Sequence, residues 1–450
     1  MIPHQYALIA WIGVAFLLMA DRNRARGFSI AMLGGLLVLP EARGVRIPGP
    51  VPDLGKLAIP ALGVLAGTAC FHFRTLLRFR PRWSDLLLVL LLVSILLTSL
   101  RNGLGLYNGL STPLTRGLEF VLPIFLARVH LDTPKAVRTF LYTLVILSVP
   151  YSLMALWEFR MSPQFHYSWY GYYQHSFAQH HRGRFFRPLL FLSHGLAVGR
   201  LFACCAFLAA LPLRRGLARL VPGGAFLFLF PSLGLLVSLS YGPWTIFLTL
   251  CGLYLLFRRW PWTLPVLPVA AFLWLAVVIA GARPYFGVAD LVGKFNVQRG
   301  ESLRYRFEAL EDYRASILEQ PILGHGGFGR GRVEGRATDS EALITSLGYG
   351  FSGVALYFGW WFWAMYVSWR LARRCRGAPF CTIALSAAAL VAVGLAVSVI
   401  DVGLSHYVLL FTAGVLGVEL TAMKQLRPRP AGAPRPPLAL TPPGAARRRA

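Results

Sequence analysis

Long apolar runs recur along almost the whole of this chain, and no other feature restricts its fold as much. "LLLVLLLVSILLTSL" begins after Asp85, and "LPVLPVAAFLWLAVVIAGA" ends before Arg283. A helix needs about 20 such residues to cross about 30 Å of hydrocarbon. Inside hydrocarbon no water satisfies the backbone, so each run has to be a helix. Composition leaves no soluble alternative: 56% of the 450 residues are hydrophobic, 14% are charged and the mean hydropathy is +0.57. The expected fold is an all-α polytopic integral membrane protein with about 13 transmembrane helices. The first run, Tyr6 to Ala20, has neither a basic leader nor a small-residue cleavage site, so it is expected to be a membrane helix rather than a signal peptide.

A net charge of +27 would point to nucleic acid in a soluble chain, but its distribution here argues against that partner. Arginines gather in "DRNRARG", "RTLLRFRPRW", "LRRGLARL", "FRRW" and "RLARRCRG". These clusters occupy every second connection, as cytoplasmic loops do under the positive-inside rule. The N-terminus is then external and residues 1–423 form the membrane domain. Residues 424–450 read as a disordered basic cytoplasmic tail, suited to contact with membrane lipid headgroups. The six cysteines, Cys70, Cys204, Cys205, Cys251, Cys375 and Cys381, show no C-x-x-C or Cys/His metal spacing. None falls in an external segment, so they read as small packing residues.

Two external connections are long, about 157–187 and about 283–339. The second contains "GHGGFGRG", Gly324 to Gly331, with G-x-G-x-x-G spacing. A dinucleotide fingerprint needs a strand before it inside a βαβ unit, whereas the segment preceding Gly324 is helical in pattern. Two readings of the glycines stand side by side: a backbone nest for an anion beside Arg330 and Arg332, or a flexible joint leading to the next span. In the helical segment, Leu303, Phe307, Leu310 and Ile317 make one apolar stripe. Arg314 falls within that stripe and Arg306 at its edge, while Glu308, Asp312 and Glu319 take the opposite face. On a bilayer surface both guanidiniums would lie at headgroup depth, either gripping a phosphoryl group bidentately or snorkelling to lipid.

The first loop sets Tyr167, Trp169, Tyr170, Tyr172 and Tyr173 before His180, His181, Arg182, Arg184 and Arg187. Aromatic faces suit sugars and the arginines suit phosphate, although most of these tyrosines fit an interfacial aromatic belt. His175, His180 and His181 lack a third and fourth ligand of zinc spacing, so no metal is expected.

Three of these stretches resemble the O-antigen ligase and O-antigen polymerase family of bacterial envelope glycan enzymes. "RGRFFRPLLFLSHG" is similar to the end of the family's external loop, with Arg182 and Pro188 at matching positions. "RFEALEDYRASILEQPILGHGGFG" resembles a segment with an arginine about fifteen residues before a Pro-Leu-Leu-Gly-x-Gly turn, which selects Arg306 and Pro321. "DSEALITSLGYGFSG" resembles the ligase signature, with Asp339, Ser340, Gly350 and Gly353 at its positions; Asp339 stands where the signature has histidine. In "SLSYGPW", Tyr241 stands where the family usually has arginine.

The resemblance implies a GT-C-like arrangement in a bacterial inner membrane and an undecaprenyl-diphosphate-linked glycan as donor. The implied reaction is glycosyl transfer on the periplasmic face, without nucleotide, metal or other cofactor. Candidate diphosphate or glycan ligands are Arg182, Arg184, Arg187, Arg306 and Arg314. Asp339 is the candidate general base, with His325 as the alternate; the competing role for Asp339 is that "TDS" merely caps a helix. His194 reads as a packed polar residue inside the membrane helix that comes after the loop. The missing histidine favours polymerisation of repeat units over ligation to a lipid or protein acceptor. A transporter or flippase of lipid-linked or anionic solute is the reading from another class, although no internal repeat is visible. A chain-length regulator or export machinery is the partner such a polymerase would meet.

Overall fold

In a computed structural model, the described residues are 1–47, 52–210, 224–282, 286–327, 329–334, 336, 339–375 and 379–425. The expected disordered tail lies outside them from residue 426 onward. In chain order the helices are α1 (His4–Leu18), α2 (Arg24–Val38), α3 (Ala58–Phe71), α4 (Phe73–Leu76), α5 (Trp83–Arg101), α6 (Gly105–Arg116), α7 (Leu122–His130) and α8 (Pro134–Met161). Next come α9 (Phe165–Tyr170), α10 (Gly195–Ala210), α11 (Gly224–Val237), α12 (Tyr241–Arg259), α13 (Val266–Ile279) and α14 (Phe286–Phe295). The last are α15 (Val297–Asp312), α16 (Arg314–Glu319), α17 (Glu341–Arg374), α18 (Pro379–Ser398) and α19 (His406–Gln425). A two-residue hairpin pairs β1 (His181–Arg182) with β2 (Phe185–Phe186). The fold is therefore all-α.

Among the described residues four helices are long and apolar enough to cross a membrane: Trp83–Arg101, Pro134–Met161, Glu341–Arg374 and Phe380–Ser398. The apolar helices His4–Leu18, Ala58–Phe71, Gly195–Ala210, Phe226–Val237, Val266–Ile279 and His406–Glu419 are shorter. One end of the bundle is basic and is tied by ion pairs. Glu419, 2% exposed, sits between Arg82 at 2.6 Å and Arg370; Arg128 meets Asp85, and Arg24 meets Asp132 at 2.7 Å. A buried carboxylate shared by two guanidiniums fixes how α5, α17 and α19 sit together, because leaving any one charge unpaired there is costly.

The opposite end carries the long loops, and its organisation starts from a break in α17. Gly350 has φ 62° and ψ −166°, a backbone that side chains disfavour. An unbroken helix would put residues 341 and 357 about 24 Å apart along its axis. Instead the Tyr357 hydroxyl donates to Glu341 Oε1 at 2.5 Å, so the first arm folds back on the second. The fold-back strands the carbonyls of Leu347 and Gly348, and the amides of Phe351 and Ser352 that would have met them.

The glycine octapeptide fills that gap. His325 N donates to Leu347 O at 2.8 Å and Gly326 N to Gly348 O at 2.9 Å, while Phe351 N donates to Pro321 O at 2.7 Å and Ser352 N to Ile322 O at 3.1 Å. Helix α5 seals the splice: Thr98 Oγ1 donates to Leu323 O at 2.6 Å and Asn102 Nδ2 to Gly324 O at 3.0 Å. The groups of these two severed helical bonds thereby regain partners, as an apolar surrounding demands. The expectation of a flexible joint is corrected: Gly324 and Gly326 have φ of 68° and 92° because the chain is fitted against the backbone of α17.

The expected amphipathic helix is present but divided. It stops at Asp312, resumes at Arg314, and turns at Tyr313, which is fully buried. Phe307, Leu310 and Ile317 are buried in the main core, so the stripe packs on protein instead of lying on a bilayer surface. Glu308 and Asp312 pair with Arg336 at 3.9 and 2.6 Å.

Candidate functional site

Helix α8 runs past the expected loop start, to Met161, and its buried Glu158 organises the first loop. Glu158 Oε1 accepts from the amides of Gln164 and Phe165, both at 3.0 Å; Oε2 accepts from Leu189 at 2.8 Å and Leu190 at 2.9 Å. One carboxylate thus gathers the two ends of the loop, using charge-assisted bonds. Several aromatics of the loop also hold structure: the Tyr170 hydroxyl donates to Val38 O and the Tyr172 hydroxyl to Glu41 O. Tyr167, Trp169 and Tyr173 remain exposed.

The loop's hairpin is anchored by Phe185 stacked on Phe159, which leaves Arg182 and Arg184 exposed around the turn at Gly183. Arg187 behaves differently. It is 5% exposed, and its Nε and Nη2 donate to Ser240 Oγ at 2.9 and 2.6 Å. Its stem crosses the start of α10 so closely that a Cβ at Gly195 would lie 2.2 Å from Arg187 Cδ.

Beside Arg187 stand three imidazoles. His180 Nε2 and His175 Nδ1 are 3.3 Å apart, and the His194 ring centroid lies 4.6 Å from that of His175 and 6.0 Å from that of His180. His194 lies before α10 rather than inside it, where its Nδ1 accepts from Leu196 N at 3.0 Å. That bond puts the neutral ring's proton on Nε2 and leaves no lone pair for a metal. Among the described residues no group of three potential ligands is placed to hold a metal ion. Burial first, then the charges of Arg187, His175, His180 and Arg200, lowers the His194 pKa to about 3. His180 falls to about 4, again through burial first and then His175, Arg187 and Arg182. Both rings are neutral near pH 7.

Arg200, in α10 below His194, carries the cluster onward. Its Nη1 lies 3.4 Å from Asp401 Oδ1, while Arg306 Nη1 lies 3.1 Å from Asp401 Oδ2. Arg306 Nε is also 4.0 Å from Asp339 Oδ2. Arg306 and Asp339 line a cleft with Tyr305, Ala309, Ser340, Leu343 and Ile400. Arg200 Nε is buried without a hydrogen-bond partner among the described residues. Ser340 caps α17, accepting from Leu343 N at 3.1 Å, so the half-exposed Asp339 carboxylate is not used as the cap.

Of the arginines selected from the sequence, Arg306 shares Asp401 with Arg200, while Arg187 lies with Arg200 among the charges that act on His194. Arg182 and Arg184 are exposed on the hairpin. Arg314 is occupied elsewhere: its Nε donates to Ile279 O at 2.7 Å and Nη2 to Ala280 O at 3.4 Å, closing the C-terminus of α13. His325 is a bracket, with Nε2 2.7 Å from Ser316 O and the ring packed under Gly331. Sequence reasoning missed Arg200 and Asp401. Arg200 was detectable as a lone charge inside the apolar run "LAVGRLFACC", a position that lipid penalises unless it has work to do. No protein-family model matches the chain, and no curated protein matches it.

Proposed function

We propose that the chain is a membrane glycosyltransferase that polymerises undecaprenyl-diphosphate-linked oligosaccharide repeat units at the loop end of the bundle, facing the periplasm. The four long helices together with the shorter apolar ones, with α6 and α7 counted as one bent span, would make about 13 crossings of a bacterial inner membrane. The observation that carries the reading is the pair Arg200 and Arg306 on one Asp401 carboxylate. Two guanidiniums fixed in advance can accept a diphosphate as its negative charge develops.

In this reading Asp339 takes the proton of the acceptor hydroxyl, whose oxygen attacks the anomeric carbon of the donor sugar. The bond from that carbon to the diphosphate oxygen breaks, and its electrons leave with the diphosphate toward Arg200 and Arg306. Arg182 and Arg184, exposed on the hairpin, would meet the donor's outer phosphate or glycan. No nucleotide is needed because the diphosphate is already a leaving group. A side chain at 339 unlike the ligase histidine favours extension of a chain over its transfer to a final acceptor.

The test in cells is an Arg306→Gln variant that still folds and inserts. Unpolymerised lipid-linked repeat units should then accumulate on the outer face. Glycan of normal length in that variant would count against the enzyme.

A further inference from the structure

In the second long loop, α14 divides its residues among three faces. Ala289 and Gly293 pack on α15: a Cβ at Gly300 would lie 2.6 Å from Gly293 Cα and 2.9 Å from Ala289 O, so small residues let the two helices approach closely. Asp290 and Lys294 make a polar face, where Asp290 pairs with Arg304 at 2.5 Å. Val288, Leu291 and Phe295, three and four positions apart, make an apolar stripe on the side of the helix away from α15. They are 52%, 56% and 87% exposed, and Val297, past the turn between the helices, is 67% exposed.

An amphipathic helix in an aqueous loop packs its large apolar residues on protein, but in α14 the small residues do the packing and the large ones face outward. Large apolar side chains exposed together mark an interaction surface. Continuity with the bundle says what covers this one. Helix α13 has its own exposed apolar stripe, with Val266, Leu273 and Val277, and only six residues separate its end at Ile279 from the start of α14 at Phe286. The C-terminal half of α15 is fixed to α13, with the Trp274 and Phe307 rings 5.3 Å apart and Arg314 Nε donating to Ile279 O at 2.7 Å. Arg304 offsets Asp290, so Lys294 brings a cation beside the stripe, suited to phosphate headgroups.

We infer that the hairpin of α14 and α15 is a foot that lowers Leu291, Phe295 and Val297 into the bilayer leaflet at the loop end. Its partner is lipid, with acyl chains against the stripe and headgroup phosphate against Lys294. Anchored there, α15 holds Arg306, about 14 Å along the helix from Val297, at a fixed depth relative to the headgroups. The foot requires that the chain be embedded in a bilayer and does not require glycosyl transfer.

The full chain is reconstituted in nanodiscs of phosphatidylethanolamine and phosphatidylglycerol containing a phospholipid with an aryl diazirine on its acyl chain. After irradiation, lipid-modified peptides are mapped by mass. Residues 286–297 should be modified to an extent comparable with the exposed stripe of α13. Replacing Leu291→Asn and Phe295→Asn together should cut modification of 286–297 by about fivefold or more and leave that of α13 unchanged. Phe295→Asn alone should act in the same direction and serves if the double variant does not fold. The foot is overturned if α13 is modified and 286–297 of the unaltered chain is not, whether the hairpin then stands in water or is covered by a second copy of the chain. It is overturned too if the folded variants are modified as strongly as the unaltered chain. Absence of lipid from both α13 and the hairpin would overturn the foot together with the embedding it requires.

Discussion

Arg200 and Arg306, 106 positions apart in the chain, close on opposite oxygens of the Asp401 carboxylate at 3.4 and 3.1 Å. The carboxylate keeps two like charges side by side in the absence of ligand. Asp401→Asn should therefore destabilise the loop end by about 1–3 kcal/mol through mutual repulsion of the arginines and a lost charged hydrogen bond. Thermal unfolding in detergent at low salt checks this. Unchanged stability would mean that the carboxylate is not holding the pair.

Glu158→Gln tests the gathering of the first loop. The amide keeps one acceptor oxygen where the carboxylate offers two, so at least two of the four backbone donors lose a charged partner. The expected cost is about 2–4 kcal/mol, and hydrogen exchange should accelerate at Gln164, Phe165, Leu189 and Leu190 together. Acceleration at only one end of the loop would mean that the carboxylate does not tie its two ends.

Gly350→Ala challenges the splice in α17. The new methyl would lie 2.4 Å from the carbonyl of Ile322, at a φ of 62° that alanine resists. Strain and overpacking together should cost about 2–5 kcal/mol, seen as loss of monodisperse protein on purification. Normal yield and unfolding temperature would argue against the inserted loop.

Acidification should loosen the first loop before the rest of the bundle. His180 and His194 have folded pKa values of about 4 and about 3, below the unfolded value of about 6.5. Above the unfolded value both states are neutral, and the stability these rings contribute is present in full. As pH falls from about 6.5 toward 4, the unfolded chain binds protons that the folded one refuses, so stability declines across that window. Hydrogen exchange of residues 175–194 against pH tracks the decline, and His180→Gln should flatten the profile.

Much of the helical architecture was legible because an apolar run has one solution in lipid. The arginines of the two long loops were legible because their clustering is local. Pairings across distance could not be read: Arg200 with Asp401 is separated by 201 positions and Arg306 with Asp401 by 95. On a helical wheel Arg314 fell within the apolar stripe and Arg306 at its edge, but past the turn at Tyr313 the Arg314 side chain goes to the end of α13. The octapeptide looked mobile because its glycines were visible and their hydrogen-bond partners, Leu347 and Gly348, were not. Asp339 was left open between base and cap; the geometry assigns the cap to Ser340, whose hydroxyl also donates to Val399 O at 2.7 Å.

The most direct measurement is turnover of a synthetic polyprenyl-diphosphate oligosaccharide by the purified protein, with products resolved by mass. A ladder of added repeat units is expected from the unaltered chain, and Arg200→Gln or Arg306→Gln should reduce it about a hundredfold or more while the protein stays folded. A ladder undiminished in both variants would contradict a catalytic arginine pair, and no ladder from the unaltered chain would contradict the polymerase itself.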